Sequence, residues 1–338
     1  MAGMSSLAED ALVRAERLSL TQLHGRLYGA AAAEQLSPLF DRACLVLDLR
    51  DDDDAALAAA PPRVANCPVL ARVRPGQRVP ALVDVACTED AELATIVGVI
   101  ERSPVAALML VQLLRHNENA SVEDGLFAES LAYSTLQGGS VFRTWLAARQ
   151  PRAVLAEAGP LVRVEAAADG HLILTLDRPH KRNAYSAGVR DALVEALQFA
   201  ADADVPDIVL RGEGLAFSAG GDLDEFGSAT DAALAHAVRM TRSAAQLLHA
   251  LRARVRCEVH GACIGAGIEL PAFTGSIVAA PDSYFVLPEV GMGLVPGAGG
   301  TVSITRRIGR LRTATMALSG QRVDAPTALA WGLIDAIT

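Results

Sequence analysis

At 338 residues the chain exceeds what a single hydrophobic core usually supports, so two parts are the expected organisation. Its 51% hydrophobic content and mean hydropathy of +0.28 exclude a disordered or fibrous polymer. Thirty Lys and Arg against 39 Asp and Glu leave a net charge of −9, and the absence of basic blocks with interleaved aromatics excludes a nucleic-acid binder.

The N-terminal 20 residues carry acids where a secretory signal needs an unbroken apolar stretch, and no segment reaches the ~18 apolar residues of a membrane span, so a soluble, cytoplasmic protein is expected. Apolar residues at Leu12, Ala15, Leu18, Leu20 and Leu23 suggest a helix that resumes over 30–34 after Gly29. Residues 43–49 and 68–73 read as short buried strands, separated by a solvated acidic loop at 51–54 and a turn at Pro61-Pro62. That acidic run lacks the alternation and glycine of a calcium loop. Cys44, Cys67, Cys87, Cys257 and Cys263 show no CxxC spacing; they read as reduced core residues, and no metal site is expected.

From 88 to 149 the pattern turns helical. One helix starts at Thr88-Glu89-Asp90, with Leu93, Ile96, Val97, Val99 and Ile100 as its apolar face. A second starts at Ser103-Pro104, a third at Ser121 and runs towards Gln137, and a short one covers 141–149. Residues 149–160 are expected to link this half to the next. Beyond them, 161–165 and 171–177 form the arms of a hairpin around Asp169-Gly170. Helices over 186–203 and 229–252 then alternate with strands at 207–211, 255–259, 276–279 and 284–287, which predicts an α/β fold with parallel pairing.

Three glycine-rich stretches fall where a strand should pass into a helix: 212–225 (GEGLAFSAGGDLDE), 260–270 (HGACIGAGIEL) and 285–301 (FVLPEVGMGLVPGAGGT). Glycine there lets a backbone N–H face a ligand with no side chain in the way, and a free amide at a helix start suits a developing oxyanion. Glu269, flanked by Ile268, Leu270, Pro271 and Ala272, is expected to be desolvated and raised towards an acid/base range. The competing reading is a carboxylate that merely favours a helix dipole. Asp222 reads as a cap or loop former, Asn183 as a turn former and His260 as a packed side chain.

Taken in order, RPHKRNA (178–184), FSAGGDL (217–223), HGACIGAGIEL (260–270), YFVLPEVGMGLVPGAGGT (284–301) and LSGQRVDAPTALAWGLID (318–335) resemble the crotonase (enoyl-CoA hydratase/isomerase) superfamily. The resemblance implies a ββα superhelical core over 161–338, preceded by a mainly helical region. It implies an oxyanion hole from the amides of Gly221 and Ala266, where the family usually has glycine at the second position; alanine keeps the N–H. It implies Glu269 and Glu289 as the pair that adds water to an enoyl-CoA. Lys181, Arg182, Ala184, Ala219, Asp222, Leu223, Gly265, Pro288 and Gly297 are the accompanying substrate or CoA contacts. Arg306 and Arg307 are further candidates to meet CoA phosphates, the alternative for each cation being plain solvation. No cofactor is implied beyond the coenzyme A of the substrate, and a homo-trimer or pair of trimers is the expected assembly.

The family's domain continues through several closing helices, whereas residues 88–150 resemble those helices placed ahead of the core. That predicts a permuted layout, docked within one chain or between neighbours. Residues 1–87 carry no defensible likeness, though their strands suggest a remnant of a duplicated core. Double-bond isomerase, thioester hydrolase and cofactor-free oxygenase remain open alternatives within the family, and a non-catalytic acyl-CoA-binding subunit outside it.

Overall fold

The computed structural model describes residues 17–58, 63–150, 159–167 and 170–338. The expected turn at Pro61-Pro62, most of the 149–160 linker, the hairpin tip at Asp169 and the helix positions before 17 lie outside the described residues.

Two main sheets organise the chain, one parallel throughout and one parallel apart from an antiparallel edge strand. In the first, β1 (Arg17–Leu18), β2 (Leu45–Asp48), β3 (Val69–Arg72) and β4 (Val85–Cys87) pair in chain order, all parallel. Their crossovers carry α1 (Leu20–Leu27), α2 (Ala32–Gln35) and α3 (Asp54–Ala58). Ser19 starts α1 with a reciprocal capping box to Gln22, so the helix expected through residues 12–23 instead begins after a strand. Only β2 and β3 were legible in the sequence; β1 and β4 are too short for any period to show.

Four helices follow: α4 (Asp90–Arg102), α5 (Pro104–Asn117), α6 (Val122–Gln137) and α7 (Ser140–Ala147). They match the expected boundaries closely. Pro104 occupies the first turn of α5, and the Ser121 hydroxyl accepts the Asp124 amide at the start of α6.

In the second sheet, β5 (Val162–Ala166) and β6 (Leu172–Leu176) form the antiparallel hairpin, after which β7 (Ile208–Gly212), β8 (Val255–Val259), β10 (Ser276–Ala279) and β13 (Ala336–Ile337) add in parallel. β11 (Tyr284–Val286) joins β9 (Ala262–Ile264) and β12 (Val323–Asp324) in a separate three-stranded sheet. Helix α8 (Ala187–Asp202) crosses from β6 to β7. The single helix expected over 229–252 is instead two, α9 (Ala232–Thr241) and α10 (Ala244–Ala250). Arg242 leaves the helical region at φ −109°, ψ 60°, and the Ser243 hydroxyl restarts the turn by accepting the Gln246 amide. The short α11 (Ala266–Glu269), the long α12 (Gly300–Ser319), kinked at Gly309, and α13 (Ala325–Trp331) complete the core.

One hydrophobic core runs continuously from Val46 and Leu70 through α4, α5 and α6 to Val302 and Ile334, so the helices dock on the core of their own chain. Gly125 of α6 lies so close to Val302 of α12 that an added methyl would stand 2.8 Å from the Val302 side chain. The Asn117 amide donates to the Thr301 hydroxyl at 2.9 Å, and Arg306 donates to the Ala120 carbonyl at 2.6 Å. Arg310 reaches from α12 into the first sheet, donating to the Ala81 and Val83 carbonyls and to Asp84. All five cysteines are buried and unbonded, and burial pushes their thiols far above the ordinary range. No single described helix is long and apolar enough to cross a membrane.

Candidate active site

The strand ends at β7 and β9 and the start of α12 meet around a cavity of about 500 Å³, within the range of ordinary small-ligand pockets. Its wall includes Gly221, Asp222, Ala266, Glu269, Glu289 and Gly297 from the core. It also includes Leu126, Glu129, Ser130, Tyr133 and Gln137 from α6, and Tyr185, Arg190, Phe226 and Arg239.

The first glycine loop is held in place by a bridge between Tyr185 and Gly221, in which the Tyr185 amide donates to Gly220 and the Asp222 amide to Tyr185. In that pattern the Gly221 N–H is left over, and among the described residues it donates to no backbone acceptor. The second loop runs from β9 into α11, where Gly265 adopts φ +49°, ψ −120°, a conformation open to glycine and strained for other residues. Ala266 is then the first residue of the helix, and its N–H likewise has no backbone acceptor. The two loops touch: a methyl on Gly220 would stand 2.6 Å from the Ile264 carbonyl oxygen and 3.7 Å from Gly265 Cα.

Glu269 and Glu289 converge on the other side of Gly265, whose missing Cβ would lie 2.5 Å from Glu289 Oε1 and 3.6 Å from Glu269 Oε1. Their surroundings differ. Glu269 Oε2 accepts the amides of Ala298 and Gly300 at 2.8 and 2.9 Å, whereas Glu289 Oε2 is buried without a hydrogen-bond partner. Burial raises Glu269 to about 7, against which the two amides pull down; burial and the neighbouring Glu269 and Glu129 charges raise Glu289 well above the ordinary carboxylate range, offset in part by its own backbone amide. The expectation of a desolvated Glu269 is met, and the dipole-only reading does not account for a side chain facing the cavity.

Several other expected residues line up behind the cavity. Gly265 closes beneath the glutamates, Pro288 starts the single turn that carries Glu289, and Gly297 lies under the Tyr133 ring, 2.5 Å from where its Cβ would be. Ala184, Ala219 and Leu223 belong to the loops that shape Gly221 and are outside the cavity lining, with the Ala219 amide donating to the Arg182 carbonyl. Asp222 is buried in a 2.6 Å ion pair with Arg178 and accepts the Asp224 amide, which is a loop-forming role. Asn183, at φ +53°, accepts the Arg178 amide and donates to the Glu213 and Ala216 carbonyls, so it is the turn former expected. His260 packs with Nε2 2.9 Å from the Gly214 carbonyl oxygen.

The candidate cations separate. Lys181 is ion-paired with Asp224, and Arg182 is exposed on a left-handed turn at φ +51°; both stand outside the cavity lining. Arg306 and Arg307 are fold pins: Arg307 donates to the Ala272 and Thr274 carbonyls and to Asp335.

Glu129 is the residue sequence reasoning missed. It is 2% exposed, lines the cavity from α6, and accepts the Gly299 and Thr301 amides and the Thr301 hydroxyl. An acid on the apolar stripe of a helix, in step with Val122, Leu126, Ala132 and Leu136, was the available signal.

With that geometry in view, the comparisons are specific. A sequence profile described as enoyl-CoA hydratase/isomerase matches residues 167–338. A 2,3-dehydroadipyl-CoA hydratase of Escherichia coli is 36% identical over 164 residues, 48% of this chain and 64% of that protein. A putative enoyl-CoA hydratase/isomerase of Bacillus subtilis is 32% identical over 170 residues, 49% of this chain and 65% of its own length. Among solved structures, an enoyl-CoA hydratase from Thermoplasma volcanium is similar with a TM-score of 0.50 and 31% identity, covering 53% of this chain and 72% of that one. The chain thus spans a little under two thirds of these curated relatives. The profile over half the chain and the crotonase-type sheet and loop order together establish that this chain belongs to the enoyl-CoA hydratase/isomerase family.

Proposed function

We propose that the cavity hydrates an α,β-unsaturated acyl-CoA thioester. The observation that carries this reading is the pairing of Glu269 and Glu289 across Gly265 with opposite hydrogen-bonding, beside two loops whose leading amides lack acceptors. Glu289, whose Oε2 has no partner and whose charge only its own backbone amide offsets, keeps its proton; Glu269, with two amide donors, is the carboxylate that ionises first.

In the proposed reaction, Glu269 takes a proton from water as the water oxygen bonds to the β-carbon. The C=C electron pair moves towards the thioester carbonyl, whose oxygen accepts hydrogen bonds from the Gly221 and Ala266 amides. Glu289 delivers its proton to the α-carbon as the enolate collapses, and a proton returned from Glu269 to Glu289 restores the pair. Each fixed amide donor of this kind is worth ~3 kcal/mol of transition-state stabilisation.

Coenzyme A enters as part of the substrate, and the reading needs no further cofactor. Arg182 and Lys181, on the turn before Tyr185 and outside the cavity lining, are its proposed phosphate contacts. The printed name of the Escherichia coli relative, a hydratase of a CoA thioester, supports the reaction class. We further infer that α4–α7 stand in for the family's closing helices, since α4–α6 pack on α12 and α6 walls the cavity in cis. A cytoplasmic homo-trimer or pair of trimers belongs to the same reading, and light scattering of the purified chain checks the assembly.

The test is loss of the conjugated thioester absorbance of crotonyl-CoA in the presence of the protein. Turnover lost in Glu269→Gln and in Glu289→Gln supports hydration. Full activity of Glu269→Gln, with conversion of a 3-enoyl-CoA to its 2-enoyl isomer, would replace it with isomerisation by Glu289 alone.

A further inference from the structure

The amides at the head of α12 are shared between two acids in alternation. Ala298 and Gly300 donate to Glu269, while Gly299 and Thr301 donate to Glu129, at 2.7 and 2.9 Å. Glu269 comes from the core and Glu129 from α6, so four consecutive N–H groups are gripped from opposite sides by carboxylates of the two halves of the chain. The grip is reinforced from the same side: Thr301 Oγ1 donates to Glu129 Oε2 at 2.6 Å and itself accepts from Asn117 of α5 at 2.9 Å.

We propose that Glu129 is a positioning residue for Glu269, fixing the amides that orient its carboxylate, so that the catalytic site is incomplete without the N-terminal helices. This rests on the assignment of Glu269 as the base. Two alternative explanations for Glu129 are weaker. A simple helix cap would need one oxygen and two donors at most, and would be solvated; this carboxylate is buried and uses both oxygens. As a charge compensator it would have to pair with the one cation near it, Arg239 of α9, but its oxygens bond Gly299 and Thr301 instead, and the other ionisable side chains it faces are Glu269, Glu289 and Tyr133. Arg239 is occupied by Ser130 and Ser134. Burying a third acid beside two others has a cost, and the alternating grip is what the arrangement obtains from it.

The experiment compares full-length wild type, Glu129→Gln and Thr301→Val with crotonyl-CoA across pH 5 to 9, with circular dichroism and thermal melts to establish folding. Gln can accept only through its single oxygen, so the Gly299 or Thr301 amide loses its partner, whereas Val removes the hydroxyl donor and leaves both amides. Expected is a fall in kcat of ~10- to 100-fold for Glu129→Gln with KM within about 2-fold, and ~3-fold for Thr301→Val. In both, the acid limb of the kcat profile moves relative to wild type. Unchanged kcat and an unchanged acid limb in folded Glu129→Gln overturn the proposal; if that variant does not fold, the same result in Thr301→Val does so. Should wild type hydrate no enoyl-CoA, the function reading fails separately. The positioning claim then stands or falls on a crystal structure of Thr301→Val or Glu129→Gln, and is overturned if Ala298 and Gly300 still hold Glu269 unmoved.

Discussion

Both halves of the chain build a largely parallel sheet, and both bury acids beside it, yet the acids are treated in opposite ways. In the first half Asp84 is 1% exposed and surrounded by compensation: Arg115 binds it at 2.8 and 2.5 Å, Arg310 at 3.2 Å, and the Val69 amide at 2.9 Å. At the cavity of the second half, Glu269 and Glu289 meet Glu129, brought in by α6 from the preceding helices, with only amides and one hydroxyl for partners. Burial still outweighs the guanidiniums and raises Asp84 above the ordinary carboxylate range, but its oxygens are tied to two cations and an amide. Carboxylates held by neutral donors in each other's field are poised to exchange protons, at a cost in stability. The same scaffold thus serves as a structural lobe in one half and a reactive one in the other.

The largest expected separation comes from removing one acid in each half. Glu289→Gln lowers crotonyl-CoA turnover about 1,000-fold, equivalent to about 4 kcal/mol of barrier, with little loss of melting temperature. Asp84→Asn does the reverse: about 3 kcal/mol of stability goes, measured by urea unfolding, because Arg310 and Arg115 lose their anion, while kcat per folded molecule stays within 2-fold.

Glycine substitutions sharpen the contrast on a smaller scale. Gly265→Ala costs about 1–3 kcal/mol through backbone strain at φ +49° and, with its methyl 2.5 Å from Glu289 Oε1, lowers kcat at least ~10-fold. Gly76→Ala, at φ +73° but with open space around it, costs about 1 kcal/mol and leaves kcat alone.

The smallest effect is on pH dependence. Glu269 and Glu129 are raised to about 7 and about 8 from an ordinary 4.5, so the unfolded chain releases these protons before the folded one does. Their contribution is fully present below pH 4.5 and is lost as pH rises through 7 to 8, so stability from this source declines over that window. In Glu289→Gln, where a source of the repulsion is gone, melting temperature should fall less steeply between pH 5 and 8. A decline identical to that of wild type would show that the three acids are not linked to folding as described.

The chemistry of the second half was legible because it is local. A glycine that must take φ +49°, an amide freed at a helix start and a glutamate after a proline leave their marks within a dozen residues. The helices 90–147 were legible for a similar reason, since Pro104 and Ser121 set the starts of α5 and α6. What sequence left hidden depends on distant partners. The role of α6 in the cavity wall depends on Gly125 meeting Val302, and the four-strand sheet on strands of two to four residues that carry no readable period.

Residue types and spacing were enough to determine the family, the glycine loops and the two candidate acids, because each is written in a short stretch whose backbone conformation admits few residues. Only the tertiary structure decided that Glu129 joins them, that Arg306 and Arg307 serve the fold, and that α6 of the preceding helices walls the cavity of its own chain. Those outcomes turn on which groups burial leaves without water, and burial is a property of the packed whole.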